Sequence, residues 1–214
     1  MYSAVVKVGG SLARSKSTLK RLCSKLSDLG RRYLLLLVPG GGSFADEVRR
    51  AYSRFNLSDD TAHWMALMAM NQFGLMLAEL AGVEATETIS GDRTVVFLPF
   101  KLIFESDPFP HSWDVTSDSV AAYVAWRAGA SRVILLKDVD GVFSADPKRH
   151  SNARLLKNVK ASDLAALDVS TSVDPFLPKL VGKYGVEVWV INGKHPERLE
   201  KLLAEGRTLG TKIH

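Results

Sequence analysis

Five short segments of this 214-residue chain are apolar at almost every position and end on glycine, proline or charge. They are "YSAVVKV" (2–8), "YLLLLV" (33–38), "TVVFLP" (94–99), "RVILLKDV" (132–139) and "VEVWVING" (186–193). A strand with one wet face alternates apolar and polar residues, whereas one that is apolar throughout is covered on both faces. Between these runs the spacing becomes helical. Leu19, Leu22, Cys23, Leu26 and Leu29 mark a helix over 15–29, which Gly30 stops. Residues 44–55, 60–80 and about 117–128 also read as helices, and Pro196 can begin another. Strands alternating with helices predict an α/β class, a three-layer αβα sandwich around a mainly parallel sheet. Ligands in such folds sit at the carboxyl ends of strands, beside helix N-termini.

Composition narrows the function classes. Apolar residues make up 46% and charged residues 24%, enough for a full core. The net charge of +5 is spread along the chain, with its densest cluster between Lys16 and Arg32 on a predicted helix face. A solvated face accounts for that cluster, and an anionic small molecule would also suit the charge. No aromatic-plus-basic stripe suggests a nucleic-acid partner. No run reaches transmembrane length, so no membrane partner is expected. The N-terminal stretch reads as a strand rather than a leader, and the lone Cys23 sits in an apolar helical register. Both point to a reducing, cytoplasmic setting. No histidine or cysteine spacing suggests a metal site, and no serine-hydrolase elbow is present.

Four strand ends carry the chemistry. "KVGGS" (7–11) sets Lys7 before Gly9, Gly10 and Ser11. "PGGGSFAD" (39–46) sets Gly40, Gly41 and Gly42 before a helix, with Asp46 just beyond. Either glycine group alone is a tight turn. Two on successive strands predict backbone N–H groups facing one phosphoryl group. Neither group is a P-loop or a dinucleotide fingerprint. "SWDVTSDSVAA" places Asp114 and Asp118 four residues apart, with Asp118 in a first helical turn, where it either caps the helix or organises lysines around phosphate. "LLKDVDGVFSADP" runs from Lys137 through an Asp-Gly turn that would suit a nucleotide base and ribose. The methionines around His63 and Trp64 read as core or as an oligomer contact, and His63 also as a group facing substrate.

Together these motifs resemble the amino acid kinase family over nearly the whole chain. The resemblance implies a single domain over 1–214, with an acceptor-binding half of about 1–115 and a nucleotide-binding half of about 116–214. It implies ATP and Mg²⁺ as cofactors and a homo-oligomer acting on a small-molecule acceptor. Lys7, Asp118 and Lys179 of "FLPKLV" are then the catalytic set, with Asp118 pairing both lysines. Gly9, Gly10, Ser11, Gly41 and Gly42 would bind phosphate. Lys137, Asp138, Asp140, Gly141, Val142, Phe143 and Asp146 would bind nucleotide, and Gly40, Asp46, His63, Asp114 and Thr116 the acceptor. "LGTKI" (209–213) resembles the family's C-terminal strand. "DDTAHWMALMAMNQFG", "PHSWDVTSDS" and "VINGKHPERL" bring the chain nearer to archaeal kinases of methanofuran biosynthesis, which act on a phosphate monoester carrying an aminomethyl furan. Uridylate, isopentenyl phosphate and amino-acid carboxylates are the alternative acceptors, and a non-catalytic nucleotide-binding protein is the alternative of another class. A cationic acceptor would meet Asp46 first, then Asp114 or the Asp59–Asp60 pair. Asp46 could equally pair along its own helix.

Overall fold

The computed structural model describes residues 1–145, 150, 152–166 and 172–214. Eight strands form one sheet: β1 (Ala4–Val8), β2 (Leu35–Pro39), β3 (Glu84–Thr86), β4 (Val95–Phe97), β5 (Arg132–Lys137), β6 (Asn158–Val159), β7 (Glu187–Asn192) and β8 (Thr211–Ile213). Their order is β3-β4-β2-β1-β5-β7-β8-β6, parallel throughout except where β7 meets β8. The fold is therefore the expected α/β sandwich around a mostly parallel sheet.

The apolar runs become two half-cores once the strand period of two is applied. Val5, Leu36, Val38, Val133, Leu135, Val188 and Val190 point to one face. Ala4, Val6, Val8, Leu35, Leu37, Ile134, Leu136, Trp189 and Ile191 point to the other. The second face is covered by α1 (Lys16–Gly30), by part of α3 (Asp59–Ala81) and by α8 (Glu197–Glu205). The first is covered by α5 (Ser117–Arg127), α7 (Leu177–Tyr184) and α4 (Phe100–Ser106). The remaining helices are α2 (Gly42–Phe55) and the short α6 (Ala161–Ala165).

Local sequence explains the ends. Ser15 caps α1 by accepting the Thr18 N–H, and Ser58 caps α3 from the Thr61 N–H. Gly82, Gly185 and Gly206 close α3, α7 and α8 in the left-handed conformation. Two segments differ from the sequence reading. The stretch after β4 forms α4 before the proline loop begins, and a 3₁₀ helix at Gly10–Arg14 continues directly from the first glycine pair. No helix among the described residues is long and apolar enough to cross a membrane.

Candidate active site

Strand parity positions the first two charged groups. Lys7 lies two residues beyond Val5, so its side chain emerges on the α5 face of the sheet. Lys137 lies two residues beyond Leu135 on the neighbouring strand, on the same face. Between them stands Asp118, in the first turn of α5 and 1% exposed. Its Oδ1 lies 2.9 Å from Lys7 Nζ and its Oδ2 lies 2.5 Å from Lys137 Nζ. The two ammonium groups hold the Asp118 carboxyl down at about 2 against the opposing effect of burial. Burial lowers the Lys7 ammonium from its usual range, with Asp118 acting against it and Lys137 adding to it.

A second carboxylate supports the first. Asp174, also buried, accepts hydrogen bonds from Thr116 N–H and O–H, both at 2.9 Å, from Ser119 N–H and O–H at 3.0 and 2.6 Å, and from Leu177 N–H at 2.8 Å. Its own N–H donates to Asp118 Oδ2 at 3.3 Å. Asp174 thus ties the starts of α5 and α7 together behind Asp118. Burial first, and Asp118 second, raise its carboxyl above the usual range. No charge motif marked Asp174 in the sequence. Its only signal was an acid just ahead of a helix-starting proline segment.

The glycines close the cleft over this array. A Cβ on Gly10 would sit 2.2 Å from Gly42 N, and one on Gly9 2.5 Å from the Leu136 carbonyl oxygen. The two loops pack backbone against backbone, and that contact, as well as any ligand, excludes side chains. Gly9, Gly10, Ser11, Gly41, Gly42, Lys7, Lys137 and Asp138 all border one cleft of about 460 Å³. The first N–H groups of α2 begin there, at Gly42.

A second, largely apolar pocket adjoins it and shares Gly41, Ala45, Arg49, Thr116 and Ser117 with it. Ala62, Ala66, Leu67, Met70 and Trp113 line it, together with His63 and the exposed Asp59. The His63 ring stacks on His111, centroid to centroid 4.3 Å, and its Nε2 is buried without a hydrogen-bond partner among the described residues. Burial and the neighbouring His111 lower the His63 imidazole to about 4. His111 is gripped from both sides, Nδ1 at 2.7 Å from Asp60 and Nε2 at 2.9 Å from Asp107. Its imidazole is held above the usual range, chiefly by the Asp107 hydrogen bond.

Some sequence-derived residues lie elsewhere. Lys179 does not reach Asp118: it is exposed on α7, its ammonium 5.2 Å from the Phe176 ring, and Lys137 takes the place expected for it. Lys179 lies two residues, about 200° around α7, beyond the buried Leu177 whose N–H is bonded to Asp174, so its side chain leaves on the outer face. Asp114 is exposed outside both cavities, its N–H bonded to Ser112 Oγ. Asp46 borders the cleft but pairs with Arg49 at 3.0 Å along its helix. Gly40 fits between strand ends, where a Cβ would lie 2.8 Å from Gly10 N. Asp140 accepts from Asn192 and Arg198, and Val142 N–H donates to Thr211 Oγ1. A Cβ on Gly141 would meet Thr211 Oγ1 at 2.5 Å, and Phe143 pairs with Leu155 in an antiparallel bridge. These four residues therefore anchor the turn after β5. Asp146 lies outside the described residues.

The amino acid kinase family model matches residues 3–88 and 84–192. The chain belongs to the amino acid kinase family. Among its relatives is [5-(aminomethyl)furan-3-yl]methyl phosphate kinase of Methanocaldococcus jannaschii, 32% identical over 98% of this chain and 96% of that one. Uridylate kinase of Methanospirillum hungatei JF-1 is 26% identical over 100% of this chain and 95% of the relative. Among solved structures, uridylate kinase from Archaeoglobus fulgidus superposes with a TM-score of 0.78 at 21% identity, covering 100% of both chains.

Proposed function

We propose that the chain transfers the γ-phosphoryl group of ATP to the phosphate of a small phosphate monoester, forming a diphosphate. The observation that carries this reading is Asp118, buried between Lys7 and Lys137 beneath two interlocked glycine loops, with an apolar pocket adjoining. Phosphoryl transfer asks for alignment and charge neutralisation rather than covalent help. Lys7 and Lys137 supply two compact cations beside the transferring group, and Asp118 fixes both. Backbone N–H groups of Gly10, Gly41 and Gly42 donate to phosphate oxygens without reorganising. The Gly9 and Gly40 N–H groups, against the sequence expectation for Gly9, are spent on the carbonyls of Leu136 and Val8, both at 2.9 Å. No general base is required, because a monoester oxygen is already anionic near neutral pH. Mg²⁺ bound with the nucleotide would supply charge neutralisation of its phosphates beside the Lys7–Asp118–Lys137 array. Among the described residues no three His, Cys, Asp or Glu side chains group as an ion cage.

The acceptor read from the relative in M. jannaschii is [5-(aminomethyl)furan-3-yl]methyl phosphate. In support, the pocket walls are short and apolar enough for a small ring, and Asp59 and His63 provide polar ends. Uridylate is the second reading, supported by the likeness to the uridylate kinase of M. hungatei JF-1 along the whole chain. A panel of the furan monoester, uridylate, isopentenyl phosphate and free amino acids, with product mass measured, tests it. A diphosphate product from the furan ester is expected. Turnover of carboxylates alone, or ATP binding without any turnover, would overturn the reading. Met68, Leu75 and Phe104, exposed on α3 and α4, are compatible with a homo-oligomer.

A further inference from the structure

Arg49 lies on α2, and its side chain borders both the glycine-loop cleft and the apolar pocket. It is the only lysine or arginine among the described residues lining that pocket. Lys7 and Lys137 are already committed to one buried carboxylate. Arg49 is not. Its carboxylate partner is Asp46, one turn back at 3.0 Å, with both side chains more than half exposed. Such a pair is weak. Its guanidinium carbon also lies 5.1 Å from the centroid of the Trp113 ring, which Tyr52 supports edge-on at 5.6 Å. The ring holds the guanidinium at the junction of the two cavities.

A phosphate monoester seated in the pocket would otherwise bring its dianion up to Asp59 on the pocket wall and Asp46 at the cleft, with no cation on the described pocket wall to receive it, since Arg14 borders only the cleft. A planar guanidinium binds phosphate through two parallel hydrogen bonds and prefers the doubly charged partner over a single exposed carboxylate. We propose that Arg49 receives the acceptor phosphate and that Asp46 is its resting counter-ion, displaced when the acceptor arrives. This rests on the phosphate-acceptor reading of the site. It also gives Asp46 a different part from the one the sequence suggested: a competitor for Arg49 rather than the receptor of a cationic substrate.

The test uses the whole protein with saturating ADP, so that the nucleotide side is filled, and inorganic phosphate as the probe. The indole N–H resonance of Trp113, assigned with Trp113→Phe, is followed by NMR. A saturable shift is expected in the wild type and none in Arg49→Gln, with both proteins showing the same circular dichroism and cooperative melting. In Asp46→Asn the shift should saturate at about half the phosphate concentration or less, since the competing carboxylate is gone. A resonance that stays still in the wild type, or moves equally in Arg49→Gln, overturns the proposal. On whichever monoester the panel shows to be turned over, Arg49→Gln should raise the acceptor KM about tenfold or more while the ATP KM holds. Arg49→Lys should recover part of the loss, and Asp46→Asn should lower the acceptor KM. A raised acceptor KM in Asp46→Asn would return Asp46 to the role of amine receptor and overturn the proposal. If no monoester is turned over but phosphate still moves Trp113 through Arg49, the kinase reading falls and the anion site stands.

Discussion

Asp118 is the residue on which the site turns, yet it is the hardest one to test cleanly. Both of its cations lean on it, and Lys7 is nearly as buried. Asp118→Asn would leave a buried ammonium without its counter-charge, at a cost of about 3–5 kcal/mol. Loss of activity in that variant would therefore mix chemistry with unfolding. Lys137→Met separates them, because Asp118 keeps Lys7 and the Lys137 side chain is partly open to the cleft. We expect kcat to fall about 100-fold or more in Lys137→Met, with Lys179→Ala little changed and both proteins melting near the wild type. Equal losses in the two variants would restore Lys179 to the transferring group. The sequence contained the information that separates these lysines. Parity along "RVILLK" sets Lys137 on the same face as Val133 and Leu135, and parity along "AVVK" sets Lys7 on the face of Val5. Motif position alone pointed to Lys179, because it carries no information about which side of α7 meets Asp174.

The glycine loops and the helices behind them show what local pattern can and cannot specify. The five apolar runs and the long helices α1, α2, α3 and α5 were legible because period and caps agree along each. α4 and α7 were not, since each is short and set in proline-bearing sequence, and only packing on the first face of the sheet fixes them. The glycines read in the sequence as phosphate loops, and nothing there marked them as packing partners of one another. Gly10 approaches Gly42 so closely that a Cβ would lie 2.2 Å from its nitrogen and 2.4 Å from its Cα, and backbone cannot swing aside as a side chain can. Gly10→Ala should therefore lower stability by about 1–3 kcal/mol through overpacking and open the cleft. Gly182, inside α7 with no described atom within 4 Å of its missing Cβ, is the contrasting site. Gly182→Ala should raise stability by about 0.5–1 kcal/mol, from helix propensity alone. Chemical denaturation of both variants checks the pair. A harmless Gly10→Ala would mean that the loops are farther apart in solution.

Sheet order is where sequence reasoning ran out. Parallel strands with intervening helices could be read from pattern, but the reversal of β8 and its insertion between β7 and β6 depend on contacts distant in sequence. Thr211 on β8 holds the turn after β5 through Val142, so the far edge of the sheet and the cleft are mechanically joined. A second long-range joint lies at the opposite end, where His111 clamps the proline loop to the start of α3 through Asp60 and Asp107 and stacks on His63. The two imidazoles shift in opposite directions, which gives stability a pH dependence of definite sign. His63 ionises near 4 in the folded chain against 6.5 when unfolded. The unfolded chain therefore takes up the proton first, and the stability that His63 contributes is complete above 6.5 and lost as pH falls towards 4. His111 is raised by its carboxylates, so its contribution is complete below 6.5 and lost as pH rises through its folded value. Removing His63 removes the first dependence and also spares His111 a neighbouring cation. Melting temperatures measured from pH 7 to pH 4 should thus fall less steeply in His63→Asn than in the wild type. In His111→Asn the deficit should be greatest near pH 5, where both carboxylates have lost a charged partner. Parallel curves for all three proteins would mean that the stacked pair does not titrate as its surroundings require.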